Sequence, residues 1–233
     1  MKIPALTCRT TANTQKIINS IAFDDTYELI WVGDSNGYVY SYSGPQLHSY
    51  VSFKAHNSPV FKLLNHKRGI LSLSSDSLSL VSKQGVMKFL IKDEQLNGAT
   101  CMAYTSNTQT ELLVAGSAQK MNRILRIDLT KGVISGSIPY LETVLFMESN
   151  LQYVVLGKAN GTIDILDARY NRIVHSFRAH QASLASIHVN GDILLTCGYS
   201  LRHENYVSEP LVNVFDLRNL KPMAPIAFPT GAV

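Results

Sequence analysis

Two β-rich runs joined by an Asn-Gly pair make up residues 29–43, LIWVGDSNGYVYSYS. An Asn-Gly pair between alternating apolar runs is the strongest short-range signal for a β-hairpin, because both residues tolerate a positive φ. Residues 153–166 repeat the arrangement around Asn160-Gly161. Helical periodicity is absent from the sequence. These residues therefore predict an antiparallel sheet that occurs more than once in the chain.

The chain also repeats at a fixed spacing. The tetrapeptide at 53–56, Phe-Lys-Ala-His, recurs 124 residues later at 177–180 as Phe-Arg-Ala-His. Gly116, Gly157 and Gly198 are spaced by 41 residues, about a third of that shift. A period of about 40–45 residues is that of a four-stranded propeller blade. We predict an all-β, WD-repeat-like β-propeller with about five four-stranded blades, at 18–55, 58–92, 99–138, 143–178 and 183–228.

Composition and cysteine usage narrow the class of protein. Hydrophobic residues make up 45 % of the 233 residues and charged residues 16 %, well under the ~25 % of an average soluble protein, which excludes a disordered chain. The net charge of +4 is scattered, so charge alone does not indicate nucleic acid. Cys8, Cys101 and Cys197 lack metal-ligand spacing and indicate buried thiols in a reducing compartment. The sequence has no signal peptide and no transmembrane-length apolar run, so we expect a soluble cytosolic or nuclear protein.

One motif is similar to a catalytic turn. Residues 33–37, Gly-Asp-Ser-Asn-Gly, match the nucleophile elbow of hydrolases, which joins a strand to a helix. Here the motif joins two strands, and Ala159 takes the place of Ser35 in the repeat. A hairpin is therefore much favoured over a hydrolase that uses Ser35.

Polar residues inside the blades could also suggest chemistry. His56, Ser72 and Asp76 could form a hydrolytic triad, but His180 and Thr196 recur at the equivalent positions of another blade. A repeated pair favours polar groups that satisfy each other inside the blades. Acidic residues at the ends of third strands occur once per blade, too far apart to share a metal. We predict no catalytic and no metal residues, and these structural blade residues: His56, Ser72, Asp76, His180, Thr196 and Asp216.

The fifth blade carries an insertion at residues 200–210, between its second strand at 193–197 and its third at 211–215. A long insertion in a compact repeat maps to a loop on one face, often the face that binds a partner. A plain surface loop is an equally weighted interpretation. The candidate partner-binding residues are Arg202, His203 and Tyr206. A small basic cluster, Lys62, His66, Lys67 and Arg68, is interpreted as a solvated loop.

The blades resemble WD repeats. An Ala-His pair precedes a first strand, and Phe215-Asp216 ends the third strand of the same blade with 34 residues between His180 and Phe215. This arrangement is similar to the Gly-His to Trp-Asp spacing of WD-repeat propellers, although no Trp-Asp pair is kept.

A closer resemblance covers residues 17–229. Five segments agree in order and spacing with the N-terminal propeller of the catalytic subunit of the poly(A)-nuclease deadenylation complex, a family of mRNA-decay enzymes. The segments are 21–24 (IAFD), 29–37 (LIWVGDSNG), 66–78 (HKRGILSLSSDSL), 161–167 (GTIDILD) and 209–218 (EPLVNVFDLR).

The resemblance implies a non-catalytic interaction module. In that family the propeller is followed by a linker that binds an adaptor subunit, an inactive ubiquitin-hydrolase-like domain and a magnesium-dependent exonuclease, none of which is present here. The implied partners are the adaptor subunit and, indirectly, the poly(A)-binding protein on mRNA, with no membrane, no small-molecule substrate and no cofactor in this chain. The implied location is the cytoplasm, including mRNA-decay granules. The alternative is a stand-alone WD-repeat adaptor or scaffold of another complex.

The resemblance also bears on blade number. The family's propeller usually has seven blades and needs ~290 residues, whereas five blades need ~205. For a chain of 233 residues we therefore expect an incomplete ring, with 1–17 as an N-terminal extension and 229–233 as the truncated start of a further blade.

Overall fold

The computed structural model describes residues 10–12, 16–24, 26–117, 120–150 and 152–228. The chain divides into two compact units, Met1–Leu90 and Ile91–Val233. Across the described residues the strands form five antiparallel sheets, the first four assembled in the order of the chain and the fifth with an extra hairpin strand beside its second strand. The predicted N-terminal extension at 1–17 and the predicted start of a further blade at 229–233 fall largely or wholly outside these residues, as does Cys8.

The first unit holds two four-stranded sheets. The first sheet consists of β1 (Ile18–Asp24), β2 (Leu29–Asp34), β3 (Tyr38–Ser43) and β4 (His48–Lys54). The second consists of β5 (Val60–His66), β6 (Gly69–Ser74), β7 (Ser77–Val81) and β8 (Met87–Lys92), whose last two residues lie past the unit boundary. The Asn36-Gly37 hairpin is confirmed, because β2 and β3 pair antiparallel across that turn.

The second unit holds the other three sheets. The third sheet consists of β9 (Ala99–Tyr104), β10 (Glu111–Gly116), β11 (Arg123–Asp128) and β12 (Val133–Pro139). The fourth consists of β13 (Val144–Ser149), β14 (Val154–Lys158), β15 (Thr162–Asp167) and β16 (Arg172–Arg178). The fifth consists of β17 (Ser183–Asn190), β18 (Ile193–Arg202), β19 (Asn205–Ser208), β20 (Leu211–Asp216), β21 (Lys221–Pro222) and β22 (Ile226–Ala227). The prediction of an all-β chain of four-stranded sheets is confirmed, and the fifth sheet adds β19 and β22 to its four strands. Among the described residues the one helical segment is a 3-10 turn at Glu94–Leu96, and no helix there is long and apolar enough to cross a membrane.

Apolar side chains fill the space between consecutive sheets of each unit. In the first unit Trp31 is fully buried and packs with Val39 and Val60. In the second unit one cluster centres on Leu113 and Leu156, and another lies between the fourth and fifth sheets. Alternation along the strands places these side chains on facing sheets, so stacking of sheets supplies the hydrophobic stabilisation.

The fifth sheet differs from the expectation at its insertion. We expected the second strand to end at Cys197 and residues 200–210 to form a loop, but β18 continues to Arg202 and turns back as β19. The pair β18–β19 is thus a hairpin that extends the sheet. Two residues, His203 and Glu204, form its turn with φ values of 48° and 66°, which is the backbone of a type I′ turn. The sequence signal was missed because neither residue is the Asn or Gly that such a turn usually carries.

The described cysteines are free thiols. Cys101 is buried, as predicted, and Cys197 is half-buried. Burial raises the pKa of the Cys197 thiol, so this side chain is held in its unreactive neutral form.

Candidate functional site

A buried histidine connects the first two sheets in the first unit. The Nε2 atom of His56 lies 2.8 Å from Oγ of Ser72, and its Nδ1 atom lies 2.8 Å from Oγ of Ser77. Ser77 in turn donates to Asp76 at 2.9 Å, and Ser72 is within 2.7 Å of the hydroxyl of Ser79. Asp76 therefore reaches the histidine through Ser77 and does not contact it directly.

The second unit contains an equivalent histidine network, in which Thr196 takes the place of Ser72 and Glu209 takes the place of Ser77. Nε2 of His180 lies 2.9 Å from Oγ1 of Thr196, and Nδ1 lies 2.8 Å from a carboxylate oxygen of Glu209. The other oxygen of Glu209 accepts a hydrogen bond from the backbone of Gln181. The sequence placed Glu209 in the insertion but did not predict its contact with the histidine, which it follows by 29 residues.

Neither histidine network has the properties of an active site. Ser72 is fully buried and His56 is 4 % exposed, so a substrate has no access to the serine. Burial lowers the pKa of His56 to about 4, against small opposing effects of Ser72 and Asp76. The ring is therefore neutral at pH 7 and serves to satisfy buried hydroxyl groups. Ser35, the other candidate nucleophile, lies in the β2–β3 turn, where its backbone donates to Ile17.

The acidic residues that end third strands cap their own turns. Asp216 does not contact His180 but accepts from the backbone and side chain of Arg218. The Arg218 hydrogen bonds hold the pKa of Asp216 at about 2. Asp167 makes the same contacts with Arg169. Among the described residues no three histidine, cysteine or acidic side chains come together as a metal site would require.

A buried ion pair in the fourth sheet was also missed. Nζ of Lys158 lies 3.0 Å from Asp164, and both side chains are 7 % exposed. Tyr140 and Ser176 donate to the same carboxylate at 2.7 and 2.6 Å. Burial alone would raise the pKa of Asp164, but the hydrogen bonds from Ser176, Tyr140 and Lys158 hold it below its usual range. Nζ of Lys158 also lies 3.1 Å from exposed Glu142, so the network stabilises the sheet and reaches the surface at that carboxylate.

The hairpin formed by β18 and β19 is the exposed feature of the fifth sheet. Leu201 pairs with Tyr206 across the two strands, and these side chains are 54 % and 65 % exposed. Arg202 pairs with Asn205 next to the turn. All three sequence-predicted partner-binding residues, Arg202, His203 and Tyr206, are exposed and lie at or beside the tip.

The backbone of the tip is strained. A left-handed backbone costs a non-glycine residue roughly 1–2 kcal/mol, and both His203 and Glu204 adopt it. The amide of Asn205 donates to the carbonyl of His203 at 3.1 Å, which holds the turn together. Strained backbone of this kind is concentrated at functional sites, where side chains bind ligands or partners.

The base of the hairpin is firmly attached to the sheet. The backbone of Glu209 donates to Gly198 at 2.9 Å while its carboxylate holds His180. Gly198 lies against that imidazole, because a Cβ at this position would be 2.3 Å from the ring. These contacts of Glu209 hold the base of the hairpin in place against the sheet.

The basic cluster expected at the β5–β6 turn is smaller than predicted. His66 is 3 % exposed and its Nδ1 atom accepts from the backbone of Arg68. The interpretation of all four residues as a solvated loop is therefore wrong for His66, which belongs to the turn itself.

Antiparallel sheets that stack through apolar faces within each unit, two of them with a histidine that bonds a second-strand hydroxyl, define a β-propeller of the WD40 class. Solved structures agree. The WD40 propeller domain of Doa1 matches with a TM-score of 0.74 at 14 % identity, over 94 % of this chain and 71 % of that chain, which supports the fold alone. The Neurospora crassa Pan2 WD40 domain matches with a TM-score of 0.85 at 29 % identity, over 93 % of this chain and 68 % of that chain. The chain is thus an all-β propeller with five four-stranded blades.

The particular family follows from sequence. The family model of the PAN2 N-terminal region matches residues 10–230, and the chain belongs to that family. The catalytic subunits of the PAN2-PAN3 deadenylation complex of Debaryomyces hansenii and Schizosaccharomyces pombe are 35 % and 36 % identical, each over 92 % of this chain. The chain spans 21 % and 19 % of those relatives, about a fifth of their length.

Proposed function

We propose that this chain is the interaction propeller of a poly(A)-tail deadenylase subunit and that it binds partners without cutting RNA itself. The observation that carries the proposal is the match to the PAN2 N-terminal family over residues 10–230. The chemistry of the blades agrees with it, because the histidine and serine side chains that could act in hydrolysis are buried and hydrogen-bonded to each other.

The partners we propose are those that the relatives' names and the resemblance supply. The first is the PAN3 adaptor subunit, since the relatives are subunits of a PAN2-PAN3 complex. The second is poly(A) coated with its binding protein, reached indirectly. We further propose a cytoplasmic location that includes mRNA-decay granules, a seven-bladed ring to which these five blades belong, and no cofactor in this propeller, magnesium being needed by a nuclease domain alone. The alternative of a stand-alone WD-repeat scaffold has no specific observation in its favour.

The contact surface we propose is the exposed hairpin tip. Tyrosine and arginine are the side chains that most often dominate the energy of protein interfaces, and Tyr206 and Arg202 are presented there on a fixed hairpin. His203 occupies the strained turn between them.

Calorimetric titration of the purified chain with purified PAN3 tests the proposal. We expect saturable binding that the triple variant Arg202→Ala, His203→Ala, Tyr206→Ala weakens by at least tenfold without a change in melting temperature. The control variant Lys131→Ala, Tyr170→Ala removes equally exposed side chains elsewhere in the second unit and should bind as the unmodified chain does. Absence of binding to PAN3 would contradict the adaptor assignment, and magnesium-dependent release of AMP from poly(A) by this chain would contradict a non-catalytic role.

A further inference from the structure

Four Asn-Gly pairs occur in the chain, at residues 36–37, 97–98, 160–161 and 190–191. Asparagine is chemically labile, and it reacts most readily before glycine, which has no Cβ to hinder attack by its own backbone nitrogen. That nitrogen bonds to Cγ of the asparagine and displaces ammonia, which leaves a cyclic succinimide. Water then opens the ring to an aspartate or an isoaspartate. The glycine backbone must turn toward the side chain for this attack, so its surroundings decide which pair reacts.

Three of the four glycines are held in place. The carbonyl groups of Gly37 and Gly161 each accept two backbone hydrogen bonds from the loop that follows their own sheet. The carbonyl of Gly98 accepts one, from the backbone of Ser117. A Cβ at any of the three would meet a neighbouring atom within 2.7 Å. The backbone at these pairs therefore turns only when hydrogen bonds open.

Gly191 has none of these restraints. It begins the two-residue turn between β17 and β18 with a φ of 56°, and a Cβ there would meet nothing within 4 Å. Neither its backbone nor the side chain of Asn190 has a hydrogen-bond partner among the residues that the structure describes. Both residues are exposed, so hydroxide and water reach the amide. The carbonyl of Asp192 accepts from Leu217, which confines the freedom to the reacting pair.

We propose that Asn190 is a site of spontaneous deamidation, where the chain gains one negative charge and, in part of the molecules, an isoaspartyl bond. This modification goes beyond partner binding and does not depend on which partner the propeller has. Opening one backbone hydrogen bond reduces the population of the reactive turn about fivefold, and opening two reduces it about thirtyfold. Asn190 should therefore react about fivefold faster than Asn97 and about thirtyfold faster than Asn36 and Asn160.

Both products change the molecule at this turn. Gly191 and Asn150 line a cavity of about 560 Å³, and none of its lining residues carries a charge. A carboxylate at position 190 places a negative charge at the edge of this cavity, in addition to that of Asp192. An isoaspartate inserts one more carbon into the backbone at the pair Asn190 and Ile193, which closes the hairpin. The isoaspartyl product should therefore loosen the β17–β18 pairing.

Mass spectrometry of the aged chain tests the proposal. The four pairs fall on four different tryptic peptides, 17–54, 93–120, 159–169 and 179–202, so each site is measured separately. The purified full chain is kept at physiological pH and temperature, with and without guanidinium chloride, and a zero-time sample corrects for conversion during digestion. We expect Asn190 to convert in the folded chain about as fast as in the denatured chain. The other three sites should convert about fivefold to thirtyfold more slowly when the chain is folded.

Two variants assign the new charge to this residue. Asn190→Gln lengthens the side chain, so the five-membered ring cannot form, and the acidic species that ion-exchange chromatography resolves in the aged chain should disappear. Asn97→Gln changes an equally exposed asparagine and should leave that species unchanged. Methyl transfer by a protein isoaspartyl methyltransferase should likewise require Asn190. Folding that protects Asn190 as much as the other three sites, or an acidic species that persists in Asn190→Gln, would overturn the proposal.

Discussion

Substituting Gly37 by alanine should destabilise the first unit far more than the same substitution at Gly44. Both glycines have a positive φ, +84° and +67°, so both substitutions place a side chain in the left-handed region. They differ in their surroundings. A Cβ on Gly37 would lie 2.1 Å from the carbonyl oxygen of His56, whereas a Cβ on Gly44 would meet nothing within 4 Å.

The magnitude follows from those two environments. The left-handed backbone costs roughly 1–2 kcal/mol for alanine, of which about half is offset by the lower entropy of the unfolded chain. Gly44→Ala should therefore lower the free energy of unfolding by about 1 kcal/mol. Gly37→Ala adds a clash with backbone, which overpacking studies place at about 1–3 kcal/mol. It also disturbs the hydrogen bonds that Ala55 and His56 donate to the carbonyl of Gly37. A total loss of about 2–4 kcal/mol is expected.

Urea unfolding followed by tryptophan fluorescence measures the difference. Trp31 is the single tryptophan of the chain, and it is fully buried in the core of the first unit. Its emission therefore reports on the unit that contains both glycines. Equal midpoints for Gly37→Ala and Gly44→Ala would refute the close approach of the β2–β3 turn to the loop that carries His56.

Three further predictions concern charged and titratable groups. The pKa of His56 is lowered to about 4 in the folded chain from about 6.5 when unfolded, so the unfolded state binds more protons between those pH values. The free energy of unfolding should therefore fall by up to about 3 kcal/mol as the pH drops from 6.5 to 4, as measured by Trp31 fluorescence. A His56→Gln variant should lose this pH dependence. Lys158→Met should lower the free energy of unfolding by about 3–5 kcal/mol, because it leaves the buried carboxylate of Asp164 without its cation. Urea unfolding followed by circular dichroism measures this loss. Adding Asp164→Asn should restore more than half of the lost stability, and a double variant as unstable as Lys158→Met alone would contradict the buried pair. Arg126 bonds Glu111 through two nitrogens and the carbonyl of Ala168 through a third, so Arg126→Ala should lower the melting temperature measured by circular dichroism by several degrees, whereas exposed Arg172→Ala should leave it unchanged.

Repetition made much of the fold predictable from the sequence. The shift of 124 residues pairs Gly37 with Gly161 and His56 with His180, and the structure gives both pairs the same backbone hydrogen bonds. Ala55 and His56 donate to the carbonyl of Gly37, and Ala179 and His180 donate to that of Gly161. A local turn signal and a long-range repeat agree at these positions, because each hairpin turn must receive the loop that follows its own sheet.

The features that were missed depend on contacts that no local pattern encodes. Lys158 ends a strand of consecutive buried residues, and its burial depends on Asp164 in the neighbouring strand and on Tyr140, which directly follows β12. Glu209 meets His180 only after the inserted hairpin has returned to the sheet. In each case a charged residue was expected at the surface, and a partner distant in sequence stabilises it inside.

The position of Glu209 has a practical consequence. His180 is held from both sides of the insertion, by Thr196 before it and Glu209 after it, so the chain between these two anchors can lengthen or shorten while the blade keeps its polar core. The fifth blade is thereby a natural graft site. A foreign hairpin or epitope exchanged for residues 200–208 would be displayed on the same two anchors, Thr196 and Glu209, without redesign of the propeller beneath it.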